Sequence, residues 1–265
     1  MSSVSLLKIP IMRSAIVQAV VGLIVLGNFA YSDQQMRKQE ARTLDKKVSK
    51  RAKADYLLFL PEGYQSRGKE RWPLIFFLHG IGERGNDPWK VKVHGPPKVA
   101  EKMSNFPFIV VSPQCPAGEW WSTDTLMVLL DDVMDRYKVD PARVYLTGLS
   151  MGGFGTWSLA LEHPERFAAV VPVCGGGNPL YVNSYDAARK AALKAVPFWV
   201  FHGDKDNTVP VTESQRMVEA LKKFGCDIKL TTYPGVGHDS WTQTYANPEL
   251  YQWLLEHRRE VGRKK

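Results

Sequence analysis

The chain has 265 residues, 44% hydrophobic and 23% charged, which suits one sizeable core and leaves no room for a second large domain. Its net charge of +8 is concentrated at the ends, in residues 37–53 and in the tail from 258, while the body between them is close to neutral. The basic stretch lacks aromatics and any recognised binding module, which speaks against nucleic-acid readout.

In chain order, residues 1–32 come first. Lys8 and Arg13 precede an apolar run at 15–26, and Ala30-Tyr31-Ser32 places small residues at a cleavage position. This is the pattern of a secretory signal cleaved near Ser32, so the expected location is secreted or periplasmic. The run is short for a membrane span; an uncleaved N-terminal anchor is the alternative. Residues 33–53 read as a basic linker and 258–265 as a basic tail. Both are either plain solvated segments or weak contacts to an anionic surface.

Residues 54–257 carry the alternation of a folded domain. Strands are expected at 56–60, 74–78, 108–111, 144–147, 168–173, 198–201 and 228–233. Helices are expected at 126–137, 154–161, 211–224 and 248–257. Alternating strands and helices predict an α/β fold: a mostly parallel, twisted sheet with helices on both faces. The segment from Gly175 to Leu193 is too short for a large lid domain. It is either a crossover helix at 185–193 or a small wall over a pocket.

The residues with chemistry cluster at predicted strand ends. Gly148-Leu149-Ser150-Met151-Gly152 directly follows the strand at 144–147 and precedes a helix. A serine there is forced onto a tight turn with its hydroxyl exposed at the carboxyl edge of the sheet. Ser150 is the candidate nucleophile. Such a serine needs a base and an orienting acid, following in the order Ser, Asp, His. Asp206 lies in the turn after the 198–201 strand and is the candidate acid, with Asp204 its rival. His238 lies in a Gly-flanked loop after the last strand and is the candidate base. Of the six histidines, His94, in the loop expected at 89–97, is its one serious rival. His79 and His202 each precede a glycine at a strand end, a position suited to bonding loop backbone.

Two backbone N–H donors must face the oxygen that becomes negative. Met151, next to the nucleophile, is one candidate. Ile81, in the glycine-rich loop His79-Gly80-Ile81-Gly82 after the 74–78 strand, is the other, with Gly80 or Gly82 as alternatives. Trp120 and Trp121 follow the 108–111 strand on the same edge. They offer an aromatic platform for a substrate ring, Trp121 foremost, or else they belong to the core.

With these residues in place, the chain resembles the α/β-hydrolase superfamily. Within it, the chain is similar to the small secreted esterases and predicted peptidases near dienelactone hydrolase, feruloyl esterase and polyhydroxybutyrate depolymerase. The resemblance rests on Leu78-His79-Gly80-Ile81-Gly82-Glu83-Arg84-Gly85, Ser112-Pro113-Gln114-Cys115-Pro116, the Ser150 motif, His202-Gly203-Asp204-Lys205-Asp206 with Val209-Pro210, and Gly237-His238. It implies a serine carboxylic ester hydrolase that forms an acyl-enzyme on short-chain, aryl, carbohydrate-linked or polyester esters. A prolyl-oligopeptidase-like peptidase and a non-catalytic wall-associated binding protein are the alternatives. The expected partner is a small-molecule or polymer ester, with no cofactor. No Cys/His spacing suggests a metal. Cys115 and Cys174, both following predicted strands on one edge, are the expected pair if export allows a disulfide, with Cys226 left over.

Overall fold

The structure, a computed structural model, describes Thr43 and residues 49–261. The expected export signal, most of the basic linker and the last residues of the basic tail lie outside these. Seven strands form one sheet: β1 (Tyr56–Phe59), β2 (Trp72–Leu78), β3 (Ile109–Pro113), β4 (Val139–Leu149), β5 (Ala169–Val173), β6 (Phe198–Gly203) and β7 (Ile228–Tyr233). Their spatial order is β1-β3-β2-β4-β5-β6-β7. Only β1 runs antiparallel to its neighbour; the other pairings are parallel.

Side chains alternate across the sheet with period two, and both faces are apolar, as a sheet covered on both sides requires. Leu74, Phe76 and Leu78 of β2 join Ile109, Val111, Val144, Leu146, Phe198 and Val200 on one face. Ile75 and Phe77 join Val110, Tyr145, Val171, Trp199 and Phe201 on the other.

Seven α-helices are described: α1 (Gly95–Ala100), α2 (Thr123–Arg136), α3 (Met151–Glu162), α4 (Ala187–Lys194), α5 (Thr212–Phe224), α6 (Trp241–Ala246) and α7 (Pro248–Glu256). The first face is covered by α2, α3 and α5, through residues such as Leu130, Val133, Trp157, Met217 and Leu221. The second is covered by α1, α6 and α7, through Ala100, Tyr245, Leu250, Tyr251 and Leu254. The Gly175–Leu193 segment is a short 3₁₀ turn, Pro179–Ser184, followed by the crossover helix α4.

Three expectations are corrected. β4 is longer than 144–147, because Val139 already pairs with Trp72 ahead of a register shift; Pro141 hides this start in the sequence. The run Gly95-Pro96-Pro97 reads as loop yet opens α1. Proline is tolerated in a first helical turn, where no N–H is needed. Finally, Cys115, Cys174 and Cys226 are all free and buried, so Cys115 and Cys174 are not bridged. Cys115 follows β3 and Cys174 follows β5, with β2 and β4 between them. Three strand spacings are roughly 14 Å, beyond the reach of a disulfide.

Candidate functional site

Ser150 sits between β4 and α3 with φ 51° and ψ −118°, a left-handed conformation unusual for a residue with a Cβ. The turn closes because its flanking glycines occupy space no side chain could share. A Cβ on Gly152 would stand 1.9 Å from the Leu78 carbonyl oxygen, and one on Gly148 would stand 2.4 Å from the Gly152 oxygen. The Ser150 N–H donates to Val173 O at 3.0 Å, tying the turn to β5.

The hydroxyl Oγ lies 2.9 Å from His238 Nε2, and His238 Nδ1 lies 2.7 Å from Asp206 Oδ2. The loop carrying His238 is pressed onto the end of β6: a Cβ on Gly203 would meet the Val236 and Gly237 carbonyl oxygens at 2.3 Å. Asp206 is buried at the turn after β6, and its Oδ1 accepts from the Thr208 and Val209 N–H groups at 2.9 Å each. Burial raises its carboxyl, but the bonds from His238, Val209 and Thr208 outweigh this and hold it below the ordinary carboxylate value. An ionised Asp206 can only accept, so His238 carries its hydrogen on Nδ1. Nε2 is then free to accept from the Ser150 hydroxyl. Asp204, the rival acid, is exposed and turned elsewhere; its Oδ1 accepts from Gly235 N–H at 2.7 Å and fastens the β7 turn.

Ile81 opens a 3₁₀ turn, Ile81–Glu83, and Met151 opens α3. The first N–H of a helix has no partner within it, so both positions leave a backbone donor available to another acceptor. The loop bearing Ile81 is closely braced. Cys115 N–H donates to His79 Nε2 at 3.0 Å, which leaves the ring hydrogen on Nδ1 for the Gly80 carbonyl at 2.5 Å. In a trans peptide, the N–H of Ile81 points opposite to that carbonyl. His79 thus sets the direction of the Ile81 donor. Burial lowers the His79 pKa to about 4, so the ring stays neutral. Gln114 Nε2 adds bonds to Glu83 O at 2.7 Å and Asp87 O at 2.8 Å.

The tryptophans take different places. Trp121 is half-buried, edge-on to His79 with ring centroids 4.8 Å apart, and covers Gly155. Trp120 is exposed and meets Phe154 edge-on at 6.4 Å. Trp121 therefore buttresses the His79 loop, and Trp120 offers the open ring.

Four further residues lie near the site: Trp241, His94, Glu83 and Cys174. Trp241 stands edge-on to His238 at 5.2 Å, and His94 stands edge-on to Trp241 at 5.5 Å. Glu83 lies 4.0 Å from His94 Nε2 through one oxygen and 3.8 Å from His79 Nδ1 through the other. Cys174 Sγ falls within 4.8 Å of ligand atoms of Asp206 and His238. A soft metal could meet those three atoms, but burial pushes the Cys174 thiol up to about 12 and disfavours the thiolate such binding needs. His94 and Cys174 stand out in the sequence, as a rival base and as a candidate disulfide partner, and Glu83 lies in the glycine-rich loop; tertiary packing brings Trp241 and the Glu83 carboxylate to the site.

A family model described as Phospholipase/Carboxylesterase matches residues 116–247. The crystal structure of a thermostable esterase superposes with a TM-score of 0.63 at 34% identity, covering 77% of this chain and 59% of that one. The chain is an α/β-hydrolase. This α/β-hydrolase is also 29% identical over 224 residues to an endo-1,4-beta-xylanase/feruloyl esterase of Xylanibacter ruminicola, covering 75% of this chain and 29% of the relative. It is 25% identical over 201 residues to a probable feruloyl esterase C of Aspergillus terreus, covering 72% and 69%. The chain spans between 26% and 29% of the length of the first curated relatives it matches. What they share with it is the esterase-type hydrolase fold, on which the Ser150 turn occupies the carboxyl edge of the sheet.

Proposed function

We propose that this α/β-hydrolase is a serine carboxylesterase working through an acyl-enzyme. The observation that carries this reading is the relay from Ser150 Oγ to His238 Nε2 at 2.9 Å and from His238 Nδ1 to Asp206 Oδ2 at 2.7 Å. Ser150 Oγ attacks the ester carbonyl carbon while its proton passes to His238 Nε2. Asp206 holds the tautomer and stabilises the imidazolium. The Ile81 and Met151 N–H groups receive the oxyanion. When the intermediate collapses, the proton leaves Nε2 for the departing alcohol oxygen. Water then repeats the sequence on the acyl group and frees Ser150.

The substrate class is short-chain, aryl or carbohydrate- or polyester-linked esters. Support comes from the absence of a large covering segment between β5 and β6 among the described residues, and from relatives whose names include feruloyl esterase. A panel of acetyl, feruloyl, acetyl-xylan, short polyester and peptide substrates tests it. Cleavage of peptides with no cleavage of any ester would place the chain among peptidases instead. Export through residues 1–32 is proposed on the sequence pattern, and N-terminal sequencing of the mature protein tests it.

A further inference from the structure

A cavity of about 280 Å³ lies between α1 and α6, lined by His94, Val99 and Tyr245 with Trp241, Lys98 and Lys102. It lies next to the reacting groups, separated from them by Trp241 on one side and His94 on the other; neither Ser150 nor His238 is among its lining residues. Trp241 packs edge-on against His238. His94 reaches Glu83, whose carboxylate lies beside Gly80, as does Ser150; a Cβ on Gly80 would be 3.3 Å from Glu83 Oε2 and 3.7 Å from Ser150 Cβ.

Position assigns the cavity a half of the substrate. The departing alcohol oxygen must come within hydrogen-bond reach of His238 Nε2 to receive its proton. Trp241, one wall of the cavity, touches His238, so a group held there lies beside the ring that delivers this proton. Its volume lies at the lower end for small-molecule sites, which suits one ring or a short branched chain. Its walls are aromatic and aliphatic.

Charge narrows the class further. No carboxylate is among the lining residues, while Lys98 and Lys102 both are. They are four residues apart on the turn of α1 and the residues after it, so they share a side. The acids nearby are engaged. Asp239 accepts from Thr242 N and Oγ1 at 3.0 and 2.9 Å, and Glu101 accepts from Lys92 at 2.8 Å. Glu83 stands behind His94. The Trp241 Nε1 is buried with no hydrogen-bond partner in the protein, a donor that lacks an acceptor.

Resting on the esterase reading above, we propose that this cavity binds the alcohol half of the substrate, and that it selects alcohols bearing a carboxylate on a ring or short chain. Lys98 and Lys102 attract the carboxylate, and Trp241 packs against the body of the alcohol.

The test compares 4-acetoxybenzoate with its methyl ester, which share an acyl group and differ in charge on the leaving phenol. The readout is the ratio of their kcat/KM values in the wild type and in the Lys98→Gln/Lys102→Gln variant. Both lysines are exposed, so the fold should tolerate the change. The ratio should fall about tenfold in the variant, as expected for two solvent-exposed charges a few ångströms from the anion. It should also fall in the wild type as ionic strength rises from about 0.01 to 1 M, where the screening length shrinks from about 30 to 3 Å. Binding of 4-hydroxybenzoate, followed by tryptophan fluorescence, reads the pocket without turnover and should weaken in the variant. An unchanged ratio together with unchanged binding would overturn the proposal while leaving the esterase reading intact. Cleavage of neither ester nor of any other in the panel would overturn the esterase reading, and this inference with it.

Discussion

His202 Nε2 lies 3.2 Å from Asp206 Oδ2, the same oxygen that His238 Nδ1 reaches at 2.7 Å. His202 Nε2 also faces the Val209 carbonyl at 2.8 Å, an acceptor, so it carries a hydrogen. Asp206 thus accepts from His238 on one oxygen, with the His202 N–H beside it, and from backbone N–H groups on the other. Its environment is built for a carboxylate and has no place for a donor.

Asp206→Asn should therefore be crippling. With its NH₂ toward His238 the amide drives that ring to the wrong tautomer; turned the other way, its NH₂ faces the Thr208 and Val209 N–H groups. Loss of tautomer control costs about four orders of magnitude in kcat. Asp204→Asn keeps an acceptor for Gly235 N–H and should leave kcat within a few-fold. Steady-state kinetics of the two variants decide; a crippled Asp204→Asn beside an active Asp206→Asn would reassign the acid.

Ser150→Ala should lower ester hydrolysis by about a million-fold while the thermal transition stays close to that of the wild type. Retention of more than about a tenth of the activity would remove Ser150 from the chemistry.

His79 gives the fold a pH dependence whose sign follows from its neutral burial. Its pKa is lowered from 6.5 to about 4, so between these values the unfolded chain binds a proton that the folded chain refuses. Stability from this source is complete above 6.5 and is lost as pH falls toward 4, by about 3 kcal/mol. His79→Asn can still donate to the Gly80 carbonyl but does not titrate. Unfolding curves of the two proteins should hold a constant offset above pH 6.5 and converge below it. Curves that stay parallel down to pH 4 would show that His79 is not the source.

Gly152→Ala should destabilise the protein by about 3 kcal/mol or more, because the new methyl meets backbone that cannot swing aside. Gly82→Ala, where a Cβ meets nothing within 4 Å, is the control and should leave the melting temperature nearly unchanged. Equal melting temperatures for both variants would contradict the close approach of α3 to β2.

Burial pushes the Cys115 and Cys226 thiols up to about 11 and Cys174 up to about 12. Ellman's reagent should react slowly or not at all with the native protein and should count three thiols in denaturant without reductant. A count of one would reveal a disulfide.

The strands are legible because most are dense apolar runs and β7 is an alternating, β-rich one, each bounded by turn residues, and Ser150, Asp206 and His238 fall at three of their ends. Those positions depend on local chain direction, which sequence encodes. What the sequence hid depends on distance across the fold. Trp121 reads either as an open platform or as core, and its half-buried place is set by Gly155 and His79, far away in the chain. Trp241 looks like an ordinary residue after a turn until α6 swings it against His238. The α1 helix was masked by its own prolines, and with it the cavity that α1 shares with α6. The expected cysteine pair failed for a similar reason: chain order did not reveal that β2 and β4 stand between β3 and β5.

The tight seat beneath Ser150 also shapes how the chain can diverge. Gly148 and Gly152 hold the ends of β2 and β4 against the start of α3 too closely for a side chain, so substitutions inside that block cost the fold whatever they would do for recognition. The loops above it carry no such burden. Positions such as Lys98, Trp120 and Thr242 can drift, and descendants can trade one ester for another while inheriting the reacting atoms unaltered. Innovation in this scaffold is confined to its rim.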